Sequence, residues 1–246
     1  MQKIFVNNFS EINLYKKNSK KSEIVTQMIH GESFSVLKRT PKWLEIKIKE
    51  DGYKGFISNK KYSIYIKPTH KVSVLKANLF KKANKGKKIG QLTFGSKIKA
   101  EKKKFEFIKF NNKWIENKNI KLIKFKNKDF FKDVKIFKNI KYKWGGKTFK
   151  GLDCSALIQI FLNFNNKYCP RDTGQQVKFF KKNISLKNIK KNDVIYWKGH
   201  VALALSNKKL IHTYGPRRKT VIMNIKETIK LIKNTTNLKI ISIKRL

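Results

Sequence analysis

The stretch Gly151-Leu152-Asp153-Cys154-Ser155-Ala156-Leu157-Ile158 decides how the second half of this chain is read. From Cys154 onward, Ala156, Leu157, Ile160, Phe161 and Phe164 recur at i, i+3 and i+4 spacing, the pattern of a helix with one buried face. That helix is predicted to begin at the cysteine. Backbone N–H groups without intrahelical acceptors and the positive end of the macrodipole gather at such a start, and both favour thiolate over thiol. A nucleophilic cysteine gains most there.

A thiolate nucleophile needs an imidazole to hold the proton and deliver it to the leaving amine, and a further polar group to orient that imidazole. The histidines are His30, His70, His200 and His212. His200 opens Gly199-His200-Val201-Ala202-Leu203-Ala204-Leu205, a buried-strand pattern. His212 ends the short apolar run Lys209-Leu210-Ile211-His212, after the turn Ser206-Asn207-Lys208. Two adjacent antiparallel strands would set these imidazoles side by side. His30 and His70 have no partner logic and are expected at the surface or in turns. The second cysteine, Cys169 in Tyr168-Cys169-Pro170, has no nearby histidine and reads as a small buried hydrophobe.

Upstream, an internal repeat organises the first 123 residues. Asn13-Leu14-Tyr15-Lys16-Lys17 aligns with Asn78-Leu79-Phe80-Lys81-Lys82 at an offset of 65, and Gln27-Met28-Ile29-His30-Gly31 aligns with Gln91-Leu92-Thr93-Phe94-Gly95 at an offset of 64. Each copy continues into alternating, aromatic-rich segments with turn residues between them, Glu50-Asp51-Gly52 in one and Asn111-Asn112 in the other. Period-2 alternation around such turns predicts β-hairpins in two small barrels. With Gly31 and Tyr53-Lys54-Gly55-Phe56-Ile57, the copies resemble bacterial SH3-like domains; the second is shorter and reads Lys113-Trp114-Ile115 where the first has its Gly. Most of these aromatics are expected in barrel cores, and an exposed remainder could bind wall polymers or shape a neighbouring site.

The 246 residues, 40% hydrophobic and 12% aromatic, carry enough apolar surface for packed cores and exclude a disordered polycation, a collagen or a coiled coil. No apolar run approaches the roughly 18 residues of a membrane-spanning helix, and MQKIFVNNFSEINLYKK lacks the apolar segment of a signal peptide, so a soluble, cytoplasmic chain is expected. Two cysteines fit a reducing compartment. Lys and Arg number 60 against 15 Asp and Glu, a net charge of +45, yet only Arg39, Arg171, Arg217, Arg218 and Arg245 are arginines. The lysines are spread evenly from Lys3 to Lys244. They fit either compositional drift or a field that attracts an anionic partner. A specific nucleic-acid reader would show clustered Arg, Gly-rich loops or stacking motifs, and none is evident, so no specific nucleic-acid partner is expected.

The second half resembles the NlpC/p60 family of papain-like cysteine peptidases over roughly residues 135 to 225. The likeness rests on Tyr142-x-Trp144-Gly145-Gly146, Asp153-Cys154-Ser155, Pro170-Arg171-Asp172-Thr173-x-x-Gln176, Asp193-Val194-Ile195-Tyr196-Trp197, His200-Val201 and Ile211-His212, in that order. Ala156 and Ala202 stand where the family usually has Gly, and Asn192 replaces the Gly before Asp193. Ala is tolerated wherever φ is negative and Asn is a common non-Gly residue at positive φ, so no chemical group is lost.

The resemblance implies an α+β protein: a papain-like catalytic domain over residues 124–246, preceded by SH3-like barrels over 1–66 and 67–123. It implies hydrolysis of a peptide or isopeptide bond in bacterial wall peptides. Cys154 would be the nucleophile, His200 the general base and acid, and His212 the orienting residue. Tyr142 would lie near the oxyanion, and Asp153 and Ser155 would bind the substrate's amine. Two such barrels before such a domain are similar to the γ-D-glutamyl-L-diamino acid endopeptidases, in which the first barrel closes one end of the cleft against a free N-terminal L-Ala. On that likeness Tyr53 and, on the Gly31-Glu32 pair alone, Glu32 would contact substrate. No metal or cofactor is called for, because thiolate, imidazole and backbone N–H donors suffice for acyl transfer. The rival reading is a wall-binding protein that attaches through its SH3-like pair with weak or no catalysis.

Overall fold

The computed structural model describes residues 3 to 246. They divide into two units: residues up to Lys126 together with Lys147–Phe149, and Asn127–Gly146 together with Lys150–Leu246. No helix among the described residues is long and apolar enough to cross a membrane.

The first unit holds both copies of the repeat. In the first copy, strands Ile4–Val6, Glu11–Tyr15, Ile24–Ile29, Ser33–Arg39, Trp43–Ile48, Lys54–Ser58 and Ser63–Ile64 form one antiparallel sheet. Leu44, Ile46 and Ile48 point inward, alternating with the more exposed Glu45 and Lys47, and join Leu14, Met28, Phe34 and Ile57 in its core. The second copy builds a five-stranded and a three-stranded sheet around Val72, Leu79, Leu92, Ile98, Phe110 and Ile115. One hydrogen bond marks the repeat in both copies. Gln27 Nε2 donates to Asn13 Oδ1 at 2.9 Å, and Gln91 Nε2 donates to Asn78 Oδ1 at 2.9 Å, each across the first hairpin. The Asn111-Asn112 turn has both φ angles positive, 43° and 57°, as a type I′ hairpin turn requires.

Tyr53 packs partly buried against the first core. His30, expected at the surface, is buried instead. Its Nδ1 lies 3.3 Å from the Phe9 carbonyl and its ring meets Phe110 edge-on at 5.8 Å, because the turn it occupies is covered by the second copy. His70 is partly buried, with Nδ1 2.8 Å from Thr69 Oγ1.

The second unit is one five-stranded antiparallel sheet in the order Lys219–Asn224, Lys209–Tyr214, His200–Ala204, Val194–Trp197, Ile240–Lys244. Three helices accompany it: α1 (Cys154–Phe164), α2 (Thr173–Phe179) and α3 (Ile225–Thr236). Helix α1 starts at the cysteine, but it is buried on nearly every side rather than on one face. Phe131 and Phe137 pack on Phe161, with ring centroids 6.1 and 5.8 Å away, so the wall that covers α1 comes partly from residues preceding the sheet. Asn192 has φ 71°, the conformation for which Asn substitutes for Gly, whereas Ala156 and Ala202 are not at positive φ.

Gly31 and Gly95 occupy equivalent turns with φ of 83° and 82°, but a Cβ on Gly31 would lie 2.2 Å from the Lys97 carbonyl oxygen, whereas one on Gly95 would meet only Ile29 Cδ1 at 3.5 Å. Gly95→Ala should therefore cost only the left-handed backbone penalty of about 1–2 kcal/mol. Gly31→Ala should cost clearly more, about 3 kcal/mol or above, since backbone must move as well. Equal losses in denaturant melts of the two variants would refute this difference.

Candidate active site

Helix α1 is built to hold a thiol at its first residue. Asp153 is its N-cap, with φ −100° and ψ 178°, and its Oδ1 accepts the Ala156 N–H at 2.9 Å. The rest of the carboxylate is also engaged. Oδ2 accepts the Gly145 N–H at 2.9 Å, Ser155 Oγ donates to Oδ1 at 3.2 Å, and Arg171 lays its guanidinium across both oxygens, with Nη1 3.0 Å from Oδ1 and Nη2 on Oδ2. Arg171 Nη1 also reaches Ser155 Oγ at 2.8 Å. Gln176 Nε2 donates to the carbonyls of Ser155 and Pro170, tying α1 to the start of α2.

Asp153 and Ser155, expected to bind the substrate's amine, are both part of this network. Both are buried, and the Asp153 carboxylate is paired with a buried cation. Their work is to position the helix start. Arg171 was not expected as the partner of Asp153, although an arginine in so lysine-rich a chain is a usable signal: a bidentate fork cannot be replaced by lysine.

Cys154 itself is almost fully buried. Burial, followed by the Asp153 charge, pushes its thiol up to about 12, while the backbone of Val201, Arg171 and the backbone of Ser155 act in the opposite direction. The contact with Val201 sets the sulfur against the strand that begins with His200. There, His200 Nε2 lies 2.9 Å from His212 Nδ1, the side-by-side imidazoles expected from two adjacent strands. Trp197 and Tyr214 flank the pair: the His200 ring lies 5.6 Å from Trp197, and Tyr214 stacks on His212 at 4.9 Å and 12°. Burial lowers His200 to about 4; burial and then the neighbouring His200 lower His212 to about 3. Burial therefore favours the neutral form of the thiol and of both imidazoles. Tyr142 completes the group. Burial, then Cys154 and Asp153, raise its hydroxyl to about 12, so it is a neutral O–H donor beside the nucleophile.

Cys154, His200, His212 and Tyr142 therefore converge, all within the second unit. Cys169 is buried away from this chemistry, its Sγ 3.5 Å from the Pro170 carbonyl. Glu32 and Tyr53 lie in the first unit. Glu32, expected to meet substrate, is buried, with Oε2 accepting the Ile29 N–H at 2.9 Å and Oε1 paired to Lys147 Nζ at 2.6 Å. Both oxygens of that carboxylate are occupied inside the fold. Among the described residues no group of three or more His, Cys, Asp or Glu could hold a metal ion.

Residues 139–236, which carry the thiol and both imidazoles, match the model of the NlpC/P60 family, and residues 14–61 match the bacterial dipeptidyl-peptidase Sh3 domain. The chain carries an NlpC/P60 domain behind a bacterial SH3 domain. It is 25% identical over 232 residues to the γ-D-glutamyl-L-lysine dipeptidyl-peptidase of Bacillus subtilis, spanning 84% of this chain and 77% of that protein. With dipeptidyl-peptidase 6 of Lysinibacillus sphaericus it shares 35% identity over 71 residues, 29% of this chain and 26% of the relative. A crystal structure of an NlpC/P60 family protein from Bacillus cereus superposes with a TM-score of 0.81 at 16% identity, covering 98% of this chain and 99% of that one, which is a likeness of fold. The NlpC/P60 domain is a cysteine-type hydrolase, and the stretch that matches it contains Cys154, His200 and His212.

Arg171→Met should strand a buried carboxylate at the helix start and cost about 3–5 kcal/mol, and Arg171→Lys should recover only part of that because one ammonium cannot span both oxygens. Thermal melts of the two variants decide it; a stable, active Arg171→Met protein would show that the fork is dispensable.

The buried histidines add a pH dependence. His30, lowered to about 4 chiefly by burial, joins His200 and His212 in staying neutral in the folded chain, whereas each titrates near 6.5 once unfolded. Their contribution is complete above pH ~6.5 and is lost as pH falls towards 4, because the unfolded chain takes up the protons first, at about 1.4 kcal/mol per pH unit for each fully buried ring. His30→Gln should flatten the fall of melting temperature between pH 6.5 and 4, whatever it does to stability at pH 8. An unchanged slope would place His30 protonation in the native state.

Proposed function

We propose that this chain is a cysteine peptidase that cuts murein peptides at the bond between γ-D-Glu and the following diamino acid, releasing L-Ala-D-Glu from peptides with a free N-terminus. The observation that carries this reading is Cys154 at the head of α1, against the strand whose His200 is bonded to His212 at 2.9 Å. Support for the substrate class comes from the dipeptidyl-peptidases it is similar to.

The steps follow from that geometry. His200 takes the thiol proton as Cys154 Sγ attacks the carbonyl carbon, and the carbonyl π electrons move onto oxygen. The α1 start and the Tyr142 hydroxyl supply donors for that oxyanion. Collapse of the tetrahedral adduct breaks the C–N bond, and His200 protonates the departing amine. Water then attacks the thioester, giving its proton to His200, and the freed carboxylic acid leaves Cys154 as thiol again. His212 keeps the His200 ring in register throughout. The cytoplasmic location expected from the sequence is part of the same proposal, since free peptides would then be met in solution.

Mass spectrometry of products from L-Ala-γ-D-Glu-diamino acid peptides, set beside intact wall, tests the proposal. Cys154→Ala should abolish cleavage with the fold retained, and His200→Ala should cost about as much, whereas His212→Gln should keep part of the rate because its role is orientation. N-acetylation of the substrate should lower kcat/KM on the order of a hundredfold, the scale of one charge-assisted contact. Acetylated peptide or intact wall cut as fast as the free peptide would refute the free-amine requirement.

A further inference from the structure

The orienting imidazole has few hydrogen bonds of its own. His212 is fully buried, and its Nδ1 lies 2.9 Å from His200 Nε2. Its Nε2 has no hydrogen-bond partner among the described residues. A ring held by one hydrogen bond can still turn about that bond, so packing has to fix its plane. The placement of hydrogens sharpens the point. For His200 to accept the thiol proton its other nitrogen, Nδ1, must be bare, so its Nε2 carries the hydrogen and donates to His212 Nδ1. A neutral His212 then carries its own hydrogen on Nε2, where no described residue accepts it.

Tyr214 is placed to supply that packing. It follows His212 by two residues on the Lys209–Tyr214 strand, so both side chains leave the same face of the sheet. The neighbouring strand sets Leu203 against Ile211 and Ala204 against Leu210, and three residues further along that register His200 falls across from Tyr214. The rings agree. Tyr214 stacks on His212 with centroids 4.9 Å apart and planes at 12°, and its centroid lies 5.3 Å from that of His200. One phenol ring thus lies against both imidazoles. Its own position is fixed in turn. Thr235 Oγ1 on α3 gives its single hydrogen to the Leu231 carbonyl at 2.8 Å, so the Tyr214 hydroxyl, 3.3 Å away, donates to Thr235. Tyr214 also belongs to the packed cluster of Leu210, Ile225 and Ile232 that joins the sheet to α3.

We propose that Tyr214 serves the reaction as a positioning residue: its ring, stacked on His212 and set beside His200, keeps His212 Nδ1 on His200 Nε2 and the base in the tautomer that takes the thiol proton. Tyr214 acts through the imidazoles and touches no substrate. This rests on the reading of His200 as the base and His212 as its orienting residue, and goes beyond it in naming what orients the second imidazole.

The test compares Tyr214→Leu, Tyr214→Phe, His212→Gln and the double variant Tyr214→Leu/His212→Gln in the full chain, below their melting temperatures. Peptide cleavage is read as separate kcat and KM, and iodoacetamide alkylation of Cys154, identified by peptide mapping, is followed across pH. Tyr214→Leu removes the flat face but keeps an apolar side chain, so kcat should fall about 30-fold with KM changed less than about threefold. Its alkylation profile should move to higher pH, because near neutrality the thiol gives up its proton only to an imidazole held in place. Tyr214→Phe keeps the stack and should restore kcat to within about fivefold of wild type, along with the alkylation profile. The double variant should be less than about threefold slower than His212→Gln alone, because the ring then has no imidazole to hold. If Tyr214→Leu does not fold, Tyr214→Met takes its place with the same expectations. Losses that multiply in full in the double variant would overturn the proposal, as would equal losses in Tyr214→Phe and Tyr214→Leu, a loss confined to KM, or a Tyr214→Leu protein with wild-type kcat and alkylation profile. Should the wild type cut no murein peptide, the functional reading fails, while the alkylation profiles of the same variants still decide whether Tyr214 sets the imidazole pair.

Discussion

At the head of α1 a buried guanidinium lies flat against a buried carboxylate, and the catalytic unit is arranged around that contact. Asp153 caps the helix and accepts the Gly145 N–H, and a carboxylate in so dry a position needs a cation of matching shape. Arg171 meets the need, and it brings the Pro170 to Gln176 segment against α1, where Gln176 ties off the carbonyls of Ser155 and Pro170. Cys154 is thus held by its neighbours on both sides in sequence.

Acidic side chains are scarce here, 15 against 60 cations, and their use is correspondingly selective. Asp193, also buried, receives a second arginine fork from Arg245 at 2.8 and 2.7 Å and accepts the Lys190 N–H. Glu50 binds Lys97 at 2.9 Å and the Ser33 N–H at 3.1 Å, and Glu32 takes Lys147. Two of the five arginines make bidentate contacts to buried aspartates, which lysine cannot do. The many lysines that remain on the solvated surface are interchangeable in a way these few residues are not.

The same logic explains how far the site was legible. Cys154 at a helix start and His200 with His212 on successive strands are local features, visible as a change from 3.6-residue to 2-residue periodicity. The fates of Glu32 and His30 were not visible. Glu32 looked like a turn carboxylate open to a ligand, and His30 like a turn imidazole open to water; in the fold each turn is covered by chain far away in sequence. Helix α1 likewise showed one apolar face in its pattern and is buried nearly all round, because Phe131 and Phe137 come over it from outside the sheet.

By itself the sequence determined the repeat, along with the hairpin turns, the start of α1 and the strands that bear the two histidines. All of these follow from spacing along a short stretch of chain, where helix and strand geometry turn a pattern directly into a position. Only the tertiary structure decided which cation neutralises Asp153, and that Glu32 pairs with a lysine 115 residues away. The reason is physical: a buried charge chooses its partner by proximity in the folded chain, and proximity between residues so distant in sequence leaves no periodic trace.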